Sequence, residues 1–135
     1  MRVLCLDIGD VRIGVAVSDP LGISTNGIET HPSQGREKDV SYFAEMAKKR
    51  ECGAIVLGLP LNMDGTEGDR AALVREFGAA LQQASGLPVD YEDERLTTVE
   101  AEEMLIEAGL SRQERRKVID KVAAEIILRS YLNKK

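Results

Sequence analysis

Four acids carry the chemistry this sequence suggests: Asp7, the neighbours Asp93 and Glu94, and Asp120. Asp7 interrupts the apolar run Val3-Leu4-Cys5-Leu6-Ile8, which has the character of a strand buried on both faces. A carboxylate in such a strand is costly unless it is hydrogen-bonded, paired or bound to a metal. By itself, Asp7 reads equally well as an acid capping the Gly9-Asp10 turn. Asp93 and Glu94 close a second strand-like segment. Asp120 lies in a helical stretch and shares a face with Ala124, Ile127 and Tyr131. Its competing reading is a boundary acid paired with Arg116 or Lys121. If the two strands run parallel in one sheet, their acids gather at one sheet edge, where sites form in α/β folds. Gathered carboxylates repel unless a cation holds them. Their hard oxygens select Mg²⁺ or Mn²⁺ over zinc, and no His-Cys set favours zinc. Two such ions about 4 Å apart activate a water and stabilise the leaving oxygen of a phosphodiester.

The elements that must position these acids follow from periodicity. Val3 to Ile8 and Arg12 to Ser18 read as a β-hairpin around Gly9-Asp10. After the Asp19-Pro20-Leu21-Gly22 turn, Ile23 to Thr30 reads as a third strand, with Asn26-Gly27 marking a bulge or bend. His31 to Gly35 reads as a loop and His31 as solvated. Asp39 to Arg50 has helical spacing, and Ala54 to Gly58 is a short apolar strand. A long loop containing Asn62, Met63, Asp64 and Gly65 follows, with Thr66 and Asp69 spaced as a capping pair. The next helix carries Leu73, Val74, Phe77, Leu81 and Ala84. Val89 to Asp93 is a fifth strand, and Thr97 or Thr98 opens a helix that Gly109 stops. Ser111 and Glu114 form a capping box for a last helix reaching about Leu132. The order β-β-β-α-β-α-β-α-α predicts an α/β fold. Its mixed five-stranded sheet is a three-strand antiparallel meander plus two parallel strands, flanked by helices.

The 135 residues fit a single domain, 1–135, large enough to bury a core without staples. Cys5 and Cys52 lack metal-type spacing and read as core residues in a reducing cytoplasm. No apolar stretch suggests a signal peptide or membrane span, so a cytoplasmic protein is expected. The net charge of −5 disfavours non-specific coating of nucleic acid. It leaves room for a nucleic-acid enzyme whose metal-binding carboxylates contribute that charge.

Four ordered segments carry a resemblance that spans essentially the whole chain. They are Asp7-Ile-Gly9-Asp-Val-Arg12-Ile-Gly14-Val-Ala-Val-Ser18-Asp19, Gly58-Leu-Pro60-Leu-Asn62-Met-Asp64-Gly65, Asp93-Glu94-Arg95-Leu-Thr97-Thr98 and Asp120-Lys-Val-Ala123-Ala124. Together they resemble the YqgF (RuvX) family. The resemblance implies a ribonuclease H-like fold similar to Holliday-junction resolvases. It further implies a nuclease of 5′-end maturation of pre-16S ribosomal RNA, or a resolvase acting on branched DNA. By the same resemblance, Asp7, Glu94 and Asp120 would be the catalytic acids and metal ligands. Strand alternation points only one of Asp93 and Glu94 at the site, and the longer arm of Glu94 suits a strand end. Resolvase relatives carry a further acid three residues after the helix aspartate, where this chain has Ala123.

Arg12, Asn62, Arg95, Arg112, Arg115 and Arg116, with Lys117, are the candidate substrate contacts. The cations opening the last helix oppose its dipole, which suggests a use outside stability, although a solvated face reads as well. The expected partner is nucleic acid, with no membrane, for a chain acting as a monomer or a homodimer. Two rival classes remain: a non-catalytic nucleic-acid or protein-binding module, and one half of a phosphate-binding ATPase. The second needs two such domains around a cleft.

Overall fold

A computed structural model describes residues 1–134. Among these, the elements run β1 (Arg2–Ile8), β2 (Arg12–Ser18), β3 (Thr25–Pro32), α1 (Arg36–Lys49), β4 (Cys52–Leu59), α2 (Asp69–Ser85), β5 (Val89–Asp93), α3 (Thr97–Glu107) and α4 (Arg112–Asn133). The sheet order is β3-β2-β1-β4-β5. β1, β2 and β3 form the antiparallel meander, and β4 and β5 add parallel to β1. The predicted α/β class and element order are those observed. No helix of the described residues is long and apolar enough to cross a membrane.

Period-two alternation divides the sheet into unlike faces. Leu4, Leu6, Ile13, Val15, Ile55 and Leu57 face α1 and α2, where Phe43, Phe77 and Leu81 complete the larger core. Val3, Cys5, Ala16, Ala54 and Val56 face the other way, under Ala124, Ile127 and Leu128 of α4. Asp7 shares the parity of Val3 and Cys5, so the same alternation aims it toward α4. Residues on this second face are small, and the helix lies close. A Cβ on Gly14 would collide with the backbone carbonyl of Asp120, and one on Gly27 would come 2.8 Å from the carbonyl oxygen of Lys121. The backbone N–H of Gly27 donates to Glu125 Oε1 at 2.8 Å, tying α4 to β3.

Several local expectations change. β3 starts at Thr25 because Asp19 Oδ1 accepts from the N–H groups of Ile23 (2.6 Å) and Ser24 (2.9 Å), which holds both residues in a turn. The bulge suggested by Asn26-Gly27 is present: Val15 pairs with Glu29 and Ala16 with Gly27, leaving Ile28 as the extra residue. His31 is not solvated. β3 continues through it, and the ring stacks on Tyr42 at 4.2 Å while Nδ1 meets Glu29 Oε2 at 3.1 Å. Thr66 and Asp69 do not cap α2. Gly68 holds the N-cap position without a side-chain bond, because the Thr66 hydroxyl donates to Asp64 Oδ1 at 2.6 Å. Leu73 lies exposed, and Ala71 takes its place on the buried face. The capping box forms as expected, with Glu114 N–H donating to Ser111 Oγ and Ser111 N–H to Glu114 Oε1.

The contact at Gly14 is backbone against backbone, so neither side can yield by changing a rotamer. Gly14→Ala is expected to lower the unfolding free energy by about 1–3 kcal/mol or more in urea denaturation. Gly53→Ala provides the comparison. The atoms nearest its methyl belong to the flexible Met1 side chain, and the change should stay within about 0.5 kcal/mol. Equal effects at the two positions would contradict the close approach of α4.

Candidate active site

Glu94 follows β5 and extends it by one step, its N–H donating to Leu59 O at 3.2 Å. β4 lies between β5 and β1, so a Glu94 carboxyl bound for Asp7 must pass over β4. Gly58 makes that passage open: a Cβ there would stand 2.7 Å from Glu94 Oε2 and 2.8 Å from Ile127 Cδ1. The two carboxyls share a hydrogen bond. Burial, then the hydrogen bond and charge of Asp7, push the Glu94 carboxyl up to about 9. Burial also raises Asp7, and the charge of Asp120 adds to that. At neutral pH the pair therefore keeps one proton, which Glu94 donates to Asp7.

Asp93 points elsewhere. Its carboxylate accepts from the Arg95 backbone N–H at 2.9 Å and from Arg95 Nε and Nη2 at 2.9 and 2.8 Å. Glu92, back on the α4 side and buried, accepts from Ser130 Oγ at 2.7 Å and Lys134 Nζ at 2.8 Å. The structure thus brings Glu94, of the two neighbours, to Asp7. Behind it the chain turns sharply at Leu96, a non-glycine residue with φ of 65°.

Asp120 comes from α4, seated by the Gly14 contact. Its Oδ2 accepts from Arg12 Nε at 2.8 Å, which replaces the boundary pairing with Arg116 or Lys121. Its charge reaches Asp7, yet among the described residues no three acidic, histidine or cysteine side chains are gathered closely enough to enclose a metal ion. The donor set nonetheless fits a hard divalent cation. It is all carboxylate oxygen, and the places such a cation would fill are taken by other positive charge: a proton between Asp7 and Glu94, and the Arg12 guanidinium on Asp120.

The remaining candidates divide by what they grip. Arg95, besides Asp93, donates Nη1 to Met63 O at 3.0 Å, clasping the 62–66 loop to the end of β5. Asn62 closes that loop on itself, donating Nδ2 to Thr66 Oγ1 at 2.9 Å and its backbone N–H to Thr66 O at 2.8 Å. Arg115 turns inward, with Nε on Glu102 Oε1 at 2.7 Å and Nη1 on Leu110 O at 2.9 Å, and staples α4 to α3. Arg112 and Arg116 are exposed and stand two turns and one turn, respectively, before Asp120 on one stripe of α4. Lys117 is also exposed.

Arg70 escaped the sequence reading. It lies in the first turn of α2, and its charge lowers both the Asp7 and the Glu94 carboxyls. Its Nη1 donates to both oxygens of Asp10 at 3.0 Å. A basic residue opening the helix after a strand parallel to β1 was the available signal, because that helix start must face the same sheet edge.

The proton on Glu94 fixes the sign of a pH effect. Between the ordinary 4.5 and about 9, the folded protein holds a proton that the unfolded chain releases, so stability falls as pH rises through this window. The thermal midpoint of metal-free protein is expected to drop between pH 6 and pH 9. Glu94→Gln, which keeps a donor for Asp7 but cannot titrate, should flatten the slope. An unchanged slope would remove the shared proton from the account.

Comparison with known proteins agrees with this architecture. The family model described as "RuvX: Holliday junction resolvase" matches residues 1–134. A protein of Syntrophomonas wolfei named "Putative pre-16S rRNA nuclease" is 48% identical over 133 residues, covering 98% of this chain and 94% of that one. RuvC of T. thermophilus, in complex with a Holliday junction substrate, superposes with a TM-score of 0.61 at 15% identity, covering 99% of this chain and 94% of RuvC. The Fowlpox virus resolvase, solved with Holliday junction DNA, gives 0.63 at 13% identity and covers 99% and 98%. At such identities the two structures show a shared fold, the ribonuclease H-like fold of the resolvases. The chain belongs to the RuvX (YqgF) family of nucleases and resolvases.

Proposed function

We propose that this protein is a Mg²⁺- or Mn²⁺-dependent nuclease that hydrolyses phosphodiester bonds of pre-16S rRNA during 5′-end processing in the cytoplasm. The observation that carries the reading is the meeting of the buried Asp7 and Glu94 carboxyls where Glu94 crosses Gly58, within the field of Asp120. Asp7, Glu94 and Asp120 would hold the cation. Bound there, it would acidify a water and offset charge on the phosphate.

The chain's own residues supply the rest. To hold a cation, Asp7 and Glu94 would release their shared proton to solvent, and Asp120 would be freed as Arg12 leaves it for a substrate phosphate. Arg112 and Arg116 follow the nucleic-acid backbone along α4. Ala123 is buried and offers no oxygen where resolvase relatives carry a further acid, so the ligand set rests on three carboxylates. Arg95 and Asn62 act indirectly, by fixing the loop beside Glu94. The family's description as a Holliday junction resolvase makes branched DNA the second substrate to offer.

The test is a cleavage assay on a 5′-extended 16S rRNA fragment and on a four-way DNA junction, in Mg²⁺, Mn²⁺ or EDTA. Wild type is expected to cut the RNA only with metal. Asp7→Asn, checked for folding by circular dichroism, should lose on the order of a hundredfold or more in rate. Preference for the junction would reassign the substrate. Binding without cutting of either, unchanged in the variant, would replace the enzyme by a binding module.

A further inference from the structure

Around the acid pair the arginines are not equally placed to meet a phosphate. Arg95 is consumed by its own loop, its Nε, Nη1 and Nη2 all engaged by Asp93 and Met63 O. Arg12 stands on the α4 side, on Asp120. The α2 side of the pair has Arg70, whose guanidinium is held through a single nitrogen, Nη1, by the two oxygens of Asp10. Both partners face solvent, with side chains 56% and 80% exposed, so water and salt compete with the contact. Asp10 belongs to the turn joining β1 and β2, two residues from Arg12 and three from Asp7. The Asp10–Arg70 pair therefore spans the mouth of the site from the hairpin to α2.

The charge of the Arg70 guanidinium reaches both carboxyls, yet its hydrogen bonds go to Asp10. Asp10 draws it aside. A phosphodiester arriving at the acids brings oxygens that match the guanidinium better than a half-engaged surface carboxylate does, since two parallel N–H donors can meet one phosphate.

We propose that Arg70 is a nucleic-acid phosphate contact on the α2 side of the acid pair, and that Asp10 holds it off the acids until a phosphate takes its place. The inference rests on the nuclease reading above and gives that site a further phosphate-binding arginine, on the side opposite Arg12. In its bound position the Arg70 guanidinium donates to a backbone phosphate beside the scissile bond, whatever the base.

Binding of a short fluorescein-labelled single-stranded RNA, followed by anisotropy in EDTA over a range of salt, tests this without turnover. Arg70→Ala is expected to weaken binding roughly tenfold at low salt, and to reduce the slope of log Kd against log salt by about 1. Arg70→Lys should keep the slope while recovering part of the affinity. Asp10→Asn should bind as tightly as wild type or more tightly, because the phosphate no longer competes with a carboxylate. Wild-type affinity and slope in Arg70→Ala would overturn the assignment while leaving the nuclease reading intact. Equal weakening by Asp10→Asn and Arg70→Ala would reduce the pair to a structural clasp. Failure of wild type to bind RNA would overturn both readings together.

Discussion

The absence of a side chain at Gly14 and at Gly58 is the constraint on which the site depends. At Gly14 the backbone of α4 descends onto β2, bringing Asp120 within reach of the first hairpin. At Gly58 strand β4, between β1 and β5, leaves a gap through which Glu94 crosses to Asp7. Filling either position would separate the acids while leaving the sheet itself paired. The two faces of the sheet are specialised accordingly. Leucine and isoleucine of the sheet, with the phenylalanines of α1 and α2, form the thick apolar layer that secures the fold. Glycine, alanine and serine under α4 give up buried volume there so that charged groups can approach one another.

Charge is distributed with the same division of labour. Arg95 and Arg115 are tied to acids and to backbone carbonyls, and each holds two segments together. Arg12 and Arg70 each meet one carboxylate, and each is more than half exposed. Contacts of that kind are worth about 0–1 kcal/mol, so exchanging the carboxylate for a phosphate costs little. On the proposed reading a net-negative chain receives a polyanion in this way: its local cations are kept in loose pairs, and the buried acids are partly neutralised by a proton.

Much of this was legible in the residues alone. Asp7 stood out because an acid inside an apolar strand demands a partner, and the β-β-β-α-β-α-β-α-α order followed from alternation and helical spacing. Strand parity was enough to choose between Asp93 and Glu94 once the register of β5 was known. What stayed hidden depends on contacts distant in sequence. Gly58 looked like an ordinary strand end, because only the crossing of Glu94 gives it meaning. His31 looked solvated, because the Tyr42 ring that covers it comes from the following helix. Arg95 and Arg115 had the composition of phosphate contacts, yet their guanidinium groups face inward to neighbours that local pattern does not reveal. Arg70 carried no motif of its own.

The capped helix α4 lies across β1, β2 and β3, and the ion pair between Arg12 and Asp120 closes over a separation of 108 residues. During synthesis the strands and the first three helices emerge before the segment that covers their small-residue face. Until α4 docks, that face exposes Val3, Cys5 and Val56, and Asp7 has no third acid beside it. A partly folded chain in which α4 is undocked is thus without a complete site. Its competence arrives with the docking of α4 rather than with the collapse of the sheet, and so with contacts that are distant in sequence.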